Sequence, residues 1–462
     1  MIRQLGGIKD SFTDIFNFKS DEGRGRVISL SASLLTAIYN MFISGLFYTG
    51  FLTMYGMFIT DAGILSFVPF IANMLSIFSP KLLGRFKKRK KILLTAKVIY
   101  FFLNIVVTTF MPQIVTGTKA RMICFIVISS VATGFFTLFN SGFTTWFYNF
   151  YPKESERRAR FFSFSLIISS VLSNVILLAS SLLTDALSNS PYQNTLIIVF
   201  RYFAFAMVLL EVFLQSKAKE YPYEESENLK FSDVFTLPFK QKKFMRCMAI
   251  QFMWCFVCYI NNLWGYHQLN HLKFSYTLVN SMSIVFAVFL IVFSPMWRKL
   301  LRRYSWIKTF GLSLLIHAPS EWLMVFMTEN DAWLFVVTMI YQHIMSVGVN
   351  LAYGNILYMN LPKENSTAYI CFNVVGCNIF SFIGMVCGTW ISSFTGDVPI
   401  PLWGMDFYSV QIIPIIRFAV FIVFSLWMII RWRDFTSDEL IEEIDELRDA
   451  EKYVRRMRRS VR

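Results

Sequence analysis

Charge is what this sequence has least of for its size. Only 16% of its 462 residues are charged, against 55% apolar. That is too little polar surface to cover the core of a soluble chain of this length. The marks of an enzyme are missing as well. There is no glycine-rich nucleotide loop, no His-Glu-x-x-His helix and no Gly-x-Ser-x-Gly turn, and the carboxylates are dispersed rather than clustered. The seven cysteines all fall in or at the edge of apolar runs, where a thiol acts as a small apolar group. Cys255-x-x-Cys258 has a metal-binding spacing but no second pair, so no metal and no cofactor is expected. His267 and His271 are four apart without a third ligand and are expected at the surface. The N-terminus stays polar up to Val27, so no cleavable signal peptide is expected.

What is present is apolar sequence in long runs. Twelve segments approach the ~20 residues that cross a ~30 Å hydrocarbon layer. They lie near Val27–Leu52, Thr60–Ser79, Ile92–Val115, Met122–Tyr148, Ala159–Leu187 and Thr195–Gln215, then Met245–Tyr266, Tyr276–Pro295, Ile307–Met327, Ala332–Tyr358, Tyr369–Phe394 and Tyr408–Trp432. Continuous apolar runs, not alternation, choose helices over a barrel. Charge placement sets the orientation. Of 44 Lys and Arg, 38 fall in the two tails and the alternate loops, while the remaining loops hold only Lys119, Arg121 and Lys273. This asymmetry places both termini in the cytoplasm of a multi-pass plasma-membrane protein. The +15 net charge is then a topology signal that also favours anionic headgroups, not a nucleic-acid footprint.

The halves repeat. Phe12-Thr13-Asp14-Ile15-Phe16 is echoed by Phe231-Ser232-Asp233-Val234-Phe235, each a short basic step ahead of an apolar run. Ser79-Pro80, opening a basic loop, recurs as Ser294-Pro295, and Pro152-Lys153-Glu154 as Pro362-Lys363-Glu364. A long-period repeat in a membrane chain points to two related bundles. The expected organisation is an amphipathic cytoplasmic segment 1–26, a six-helix bundle 27–215, a central cytoplasmic loop 216–246, a second bundle 247–432 and a cytoplasmic helix 433–462. Thr436 and Glu439 form a capping box for that last helix.

Twelve spans in two six-span halves, with a basic loop after the second span, resemble the major facilitator superfamily across nearly the whole chain. The family's Gly-x-x-x-Asp-Arg-x-Gly-Arg-Arg loop has its counterpart in Pro80-Lys81-Leu82-Leu83-Gly84-Arg85-Phe86-Lys87-Lys88-Arg89. Arg85, Lys88 and Arg89 match in charge and are the gating-loop candidates. Pro80, Gly84 and Lys87 depart from the pattern. Arg158 and Arg160 look like the family's basic loop between spans 4 and 5, and the glycine-free span 5 argues against drug–proton antiport. The resemblance implies an all-α integral membrane fold, twelve helices in two pseudo-symmetric bundles. It also implies a central cavity lined by spans 1, 4, 7 and 10, with spans 3, 6, 9 and 12 outside it.

Read independently, those four spans carry polar faces at helical spacing. Span 1 has Thr36, Asn40 and Ser44; span 4 has Thr133, Thr137, Asn140, Thr144 and Tyr148. Span 7 has Gln251, Trp254, Cys258 and Asn262 with Asn261 beside them; span 10 has His343, Ser346, Asn350 and Tyr353. These groups are amides, hydroxyls and rings with no carboxylate or Arg. Amides pair with hydroxyls in both senses, and rings stack on the apolar face of a sugar. Asn40, Asn140, Gln251, Trp254, Asn261, Asn262, Asn350 and Tyr353 are therefore the binding candidates for a neutral solute of sugar or glycoside type. The competing reading is that such groups glue helices together.

For coupling, His343 in span 10 has a side chain suited to a proton cycle. His317 and Glu321, one turn apart on span 9, form a relay or a structural pair. Asp61 is a first-turn charge or a sodium ligand. Lys97 is expected to snorkel to the inner surface, and Arg201 and Glu211, ten apart, cannot pair along one helix. The expected protein is a monomeric secondary transporter with proton or sodium coupling as an option. A carrier or flippase for amphipathic, lipid-like molecules is the alternative, with a membrane enzyme ranked behind it.

Overall fold

The computed structural model describes residues 20–436 except 84, 152–154, 189, 222–230, 358, 363–365 and 403, together with 441, 442, 444–446 and 449. The first pentapeptide of the repeat, Lys363 and Glu439 lie outside the described residues. Among the described residues the architecture is helical apart from one small hairpin, and the chain divides into two compact units. Residues 1–227 with 275–280 form the first unit; 228–274 and 281–462 form the second.

In the first unit, α1 (Asp21–Ile43) starts where Ser20 Oγ accepts from Gly23 N–H at 3.0 Å, with Asp21 and Glu22 at the positive end of the helix dipole. It is followed by α2 (Gly45–Met54), then α3 (Ile59–Asn73), a 3₁₀ turn (Met74–Phe78) and α4 (Ser79–Leu83). Asp61 is the first-turn charge of α3: its Oδ2 accepts from Phe58 N–H at 3.0 Å. Next, α5 (Lys90–Phe101) passes through a π-helical stretch (Phe102–Val107) into α6 (Thr108–Ile114). Long helices α7 (Thr118–Tyr148), α8 (Ser155–Ala186) and α9 (Tyr192–Ser216) complete the unit. Its interior is aromatic, with Phe42 packed on Phe47 and Phe200.

The second unit opens with α10 (Phe231–Lys240), inside the stretch expected to be a loop, and α11 (Lys242–Tyr259). Then come α12 (Trp264–Asn270), α13 (Tyr276–Tyr304), α14 (Trp306–Val325), α15 (Ala332–Ile356) and α16 (Ser366–Ser392). The strands β1 (Ile400–Leu402) and β2 (Met405–Phe407) pair antiparallel before α17 (Ile412–Phe435). Ser294-Pro295 does not open a loop. The helix continues to Tyr304; proline lacks a single N–H, and Ser294 Oγ bonds the Leu290 carbonyl. Thr436 closes α17, its Oγ1 donating to Trp432 O at 2.8 Å.

Eleven helical stretches among the described residues are long and apolar enough to cross a bilayer. The helix α14 is not one of them. Its 20 residues span roughly 30 Å at 1.5 Å per residue, yet Lys308, His317 and Glu321 make it too polar. It is shielded by α15 and α17, and both His317 and Glu321 are buried. On the other helices, apolar side chains such as Val131, Ile291, Trp390, Val423 and Ile430 are exposed. Exposed apolar surface on this scale belongs against lipid, not water. The protein is therefore a multi-pass membrane protein.

Candidate functional site

Two helices break, and they break at matched places. Between α1 and α2, Ser44 is extended (φ −139°, ψ 178°) and Gly45 takes φ +59°, a left-handed conformation that glycine tolerates without a Cβ penalty. Between α11 and α12, residues 260–263 leave the helix. The second pieces start at Gly45 and Trp264, 219 positions apart, and Phe231 stands 219 positions after Phe12. The break thus recurs at the offset of the first of the three sequence repeats. Interrupted spans at corresponding points of two halves are the mark of a transporter binding site, because they bare backbone groups inside the membrane.

The second break is held by glycine. A Cβ at Gly384 would stand 2.5 Å from Phe256 O, and one at Gly388 would collide with Ile260 O. These two glycines, four apart on α16, let its backbone lie against the broken end of α11, the close approach small residues permit in membranes. Asn261 and Asn262 sit in the break itself, both half-buried, and Asn261 Oδ1 is buried without a hydrogen-bond partner.

Of the expected binding residues on the first unit, Asn40 and Asn140 are exposed. Ser44 Oγ donates to Asn40 O at 2.6 Å beside the first break. The α7 face is divided. Thr133 and Thr137 are buried, and Thr137 Oγ1 donates to Asn73 Oδ1 at 3.0 Å, which is helix glue. Asn140, Thr144 and Tyr148 stay exposed.

In the second unit the structure brings Trp254 and Tyr353 together. Their ring centroids are 6.2 Å apart, with Phe310 at 5.5 Å and Phe421 at 6.1 Å from Trp254. Gln251, one turn before Trp254, is buried with its Oε1 unpartnered. Asn350, one turn before Tyr353, is exposed, its Nδ2 donating to Ser346 O at 2.9 Å. Behind this aromatic cluster, His317 lies edge-on to Phe421 at 5.4 Å. Glu321 Oε1 is shared by His317 Nε2 at 3.2 Å and Arg417 at 3.0 Å, and its Oε2 is buried with no partner. His343 stands apart, with Phe286 at 5.3 Å, a bond to the Met282 carbonyl and a buried, unpartnered Nε2.

Several expectations need correction. Lys97 does not snorkel. It is 7% exposed, and its Nζ lies 2.5 Å from Glu211 Oε1. Because Glu211 also accepts from Thr36 Oγ1 at 3.2 Å, a carboxylate does stand directly behind the polar face of α1. Arg201 and Glu211 indeed do not pair. Arg201 is buried and bonds Thr109 Oγ1 at 2.7 Å, Thr108 Oγ1 at 2.9 Å and Asn104 O at 3.0 Å, with Phe51 4.0 Å beneath it. It thereby uses a carbonyl at the π-helical stretch. His267 and His271 are not at the surface. Their Nδ1 atoms are 2.9 Å apart, and His271 Nε2 is 2.7 Å from Asp397 Oδ1 with Tyr408 stacked at 3.8 Å. Apart from the His267–His271 contact, these partners are far apart in sequence, so helical spacing could not reveal them.

In the basic loop, Arg85 and Lys88 are exposed and Arg89 is half-buried. Glu220, unforeseen, accepts from Arg89 N–H at 2.5 Å and Lys90 N–H at 2.8 Å, placing a carboxylate on the positive end of α5.

Residues 259–460 match the Major Facilitator Superfamily profile. Solved structures agree over most of the chain. A bacterial homologue of the iron transporter ferroportin, inward-facing, superposes with a TM-score of 0.66 at 12% identity, covering 88% of this chain and 98% of that one. A mutant of the nucleoside transporter NupG gives 0.63 at 15%, covering 88% and 99%. The inward-open xylose transporter of E. coli gives 0.61 at 12%, covering 91% and 98%. The chain carries a major facilitator domain and has the major facilitator fold. No curated protein sequence matches it. Within that fold α1–α2 and α11–α12, the two broken helices, are the first and seventh in order, and both belong to the set the sequence resemblance assigns to the cavity.

Proposed function

We propose that the protein is a secondary transporter that moves a small, neutral, polar solute of sugar or glycoside type by alternating access of two six-span halves, 27–215 and 247–432. The observation that carries this reading is the pair of matched helix breaks, with Asn40 and Ser44 beside one and Asn261 and Asn262 within the other. The side chains on the four faces supply amides, hydroxyls and rings, the chemistry of a polyol and not of an anion. Structures of similar fold are titled as nucleoside and xylose transporters, and both solutes are neutral and hydroxyl-rich. The similar structures named here are transporters.

The polar helix α14 is the ninth span in this reading and brings their number to twelve, and the Lys and Arg distribution puts both termini in the cytoplasm. Coupling runs through the titratable groups His343, His317 and Glu321, with Arg417 as the counter-charge that helical spacing did not reveal. The gating loop is Arg85, Lys88 and Arg89. Counterflow of labelled xylose, uridine and a neutral glycoside in proteoliposomes tests the function; saturable exchange of at least one supports it, and exchange of none of them removes it.

A carrier of amphipathic molecules is the second reading. It is favoured by an apolar cavity of about 370 Å³ between α3 and α7, lined by Ile64, Phe67, Ile71, Leu75 and Ile126. Exchange of a fluorescent lipid analogue in place of the sugars would select it.

A further inference from the structure

The buried ion pair of the first unit has no part in the solute-facing chemistry above. Lys97 Nζ and Glu211 Oε1 are 2.5 Å apart, with side chains 9% and 2% exposed. The same carboxylate oxygen also accepts from Thr36 Oγ1 at 3.2 Å and Gln215 Nε2 at 2.9 Å. Three donors therefore crowd one oxygen. The other oxygen, Oε2, is buried and has no hydrogen-bond partner, and the same is true of Gln215 Oε1 one turn along. Leaving a buried acceptor unsatisfied is costly, and here two belong to residues already bonded to each other.

What both atoms lack is a donor. An ionised carboxylate only accepts, whereas a carboxylic acid also donates one O–H. A proton taken from water onto Glu211 Oε2 makes that oxygen a donor, and Gln215 Oε1, on the residue whose Nε2 already bonds this carboxylate, is an acceptor without a partner. The step takes away the negative partner of Lys97. Lys97 keeps its charge, and its ammonium already lies 5.2 Å from the Phe143 ring, a partner that does not depend on Glu211.

The surroundings are few and can be named. From α1 come Thr36 and Tyr39, whose hydroxyls are 3.2 Å apart. From α5 come Lys97 and Tyr100, and from α9 itself Gln215. Arg201 is ten residues earlier on α9, roughly 15 Å away at 1.5 Å per residue, and engages α6 instead. Among the described residues Lys97 is the one charged side chain that pairs with Glu211. Thr36 belongs to the same face of α1 as Asn40 and Ser44, so the carboxylate is one hydroxyl away from the face that leads to the first helix break.

We propose that Glu211 is a proton-binding site of the first unit, with Lys97 as its counter-charge and Tyr39 and Thr36 as its link to the polar face of α1. Its use in a transport cycle rests on the function proposed above; the proton site itself does not. Infrared difference spectra of the whole purified protein between alkaline and acid pH read carboxylic-acid groups directly. The wild type shows a carboxylic-acid component on acidification that is lost in Glu211→Gln, a variant that keeps the shape of the protonated side chain. Lys97→Gln removes the counter-charge and enlarges that component at a given pH, because an opposite charge favours the ionised form. Spectra of Glu211→Gln that superimpose on wild type overturn the proposal. Should Glu211→Gln fail to fold, an unchanged component in Lys97→Gln overturns it equally. If the component is present and lost as expected while no solute exchanges in proteoliposomes, the proton site stands and the solute reading falls.

Discussion

Arg417 lies 3.0 Å from Glu321, joining the first turns of α17 to the last turn of α14. Both side chains are shielded, at 12% and 0% exposure. This contact is why a helix too polar to cross a bilayer alone can sit among apolar ones: its charge is neutralised by a neighbour. Removing one member of a buried pair strands the other, at a cost of about 3–5 kcal/mol. Arg417→Leu should therefore lower the melting temperature of the purified protein sharply. Adding Glu321→Gln to it should recover most of the loss, as the stranded charge disappears. A double variant no more stable than Arg417→Leu would show that the pair is not the source of the stability.

Gly388 is where α16 touches the backbone of the second helix break. Gly388→Ala places a methyl group against Ile260 O, and overpacking of this kind costs about 1–3 kcal/mol. The melting temperature should fall, and Gly388→Val should fall further. Gly396 has nothing within 4 Å of a Cβ but takes φ +58°, so it serves as a control for backbone strain without crowding. Equal losses at both positions would remove the packing account.

Lys273 is ion-paired to Glu329 at 2.7 Å while 71% exposed. The hydrogen bond and charge of Glu329 raise its pKa above the ordinary lysine value. An amine reacts with an acylating reagent only when neutral, so at a given pH Lys273 should label from outside the cell more slowly than an unpaired lysine. Glu329→Gln lets the pKa fall back, and labelling should begin at lower pH. Lys87 should stay unlabelled until the membrane is opened. Labelling of Lys87 from outside would contradict the proposed orientation.

His343→Gln tests coupling in the second unit. A glutamine offers Met282 O the same donation without a titrating ring. Accumulation driven by a pH gradient should be lost while exchange at equal concentrations persists. Undiminished gradient-driven uptake would take His343 out of the proton path.

Much of this was legible in the chain because membrane helices announce themselves through length and hydropathy. The long-period repeat was equally legible, and the 219-residue offset from Phe12 to Phe231 reappears as the spacing between the two restarted helices at Gly45 and Trp264. The breaks themselves were hidden, since Ser44-Gly45 and Ile260 to Leu263 read as ordinary positions within apolar runs. Side-chain partners were hidden for a different reason. Lys97 and Glu211 are 114 residues apart, and helical spacing relates a residue only to its own helix. Lys97 alone looks like a snorkelling lysine; only the placement of α9 beside α5 turns it into a buried pair. Thr137 shows the same limit from the other side, being at once on the expected polar face and spent on Asn73.

The central claim is that amides at the second break and on α15 hold a neutral solute, and the direct test is solute affinity measured beside stability in the same variants. A panel of neutral sugars, glycosides and nucleosides first identifies the ligand by its thermal stabilisation of the purified wild type. Loss of an amide that pairs with a buried hydroxyl costs roughly 1–3 kcal/mol, about 5- to 150-fold in affinity. Asn262→Ala and Asn350→Ala should each weaken binding within that range and leave the empty protein's melting temperature near that of the parent; Trp254→Ala should weaken it too, with Trp254→Phe recovering part. Variants that bind as tightly as the parent while melting lower would show that these residues hold helices together and do not hold solute.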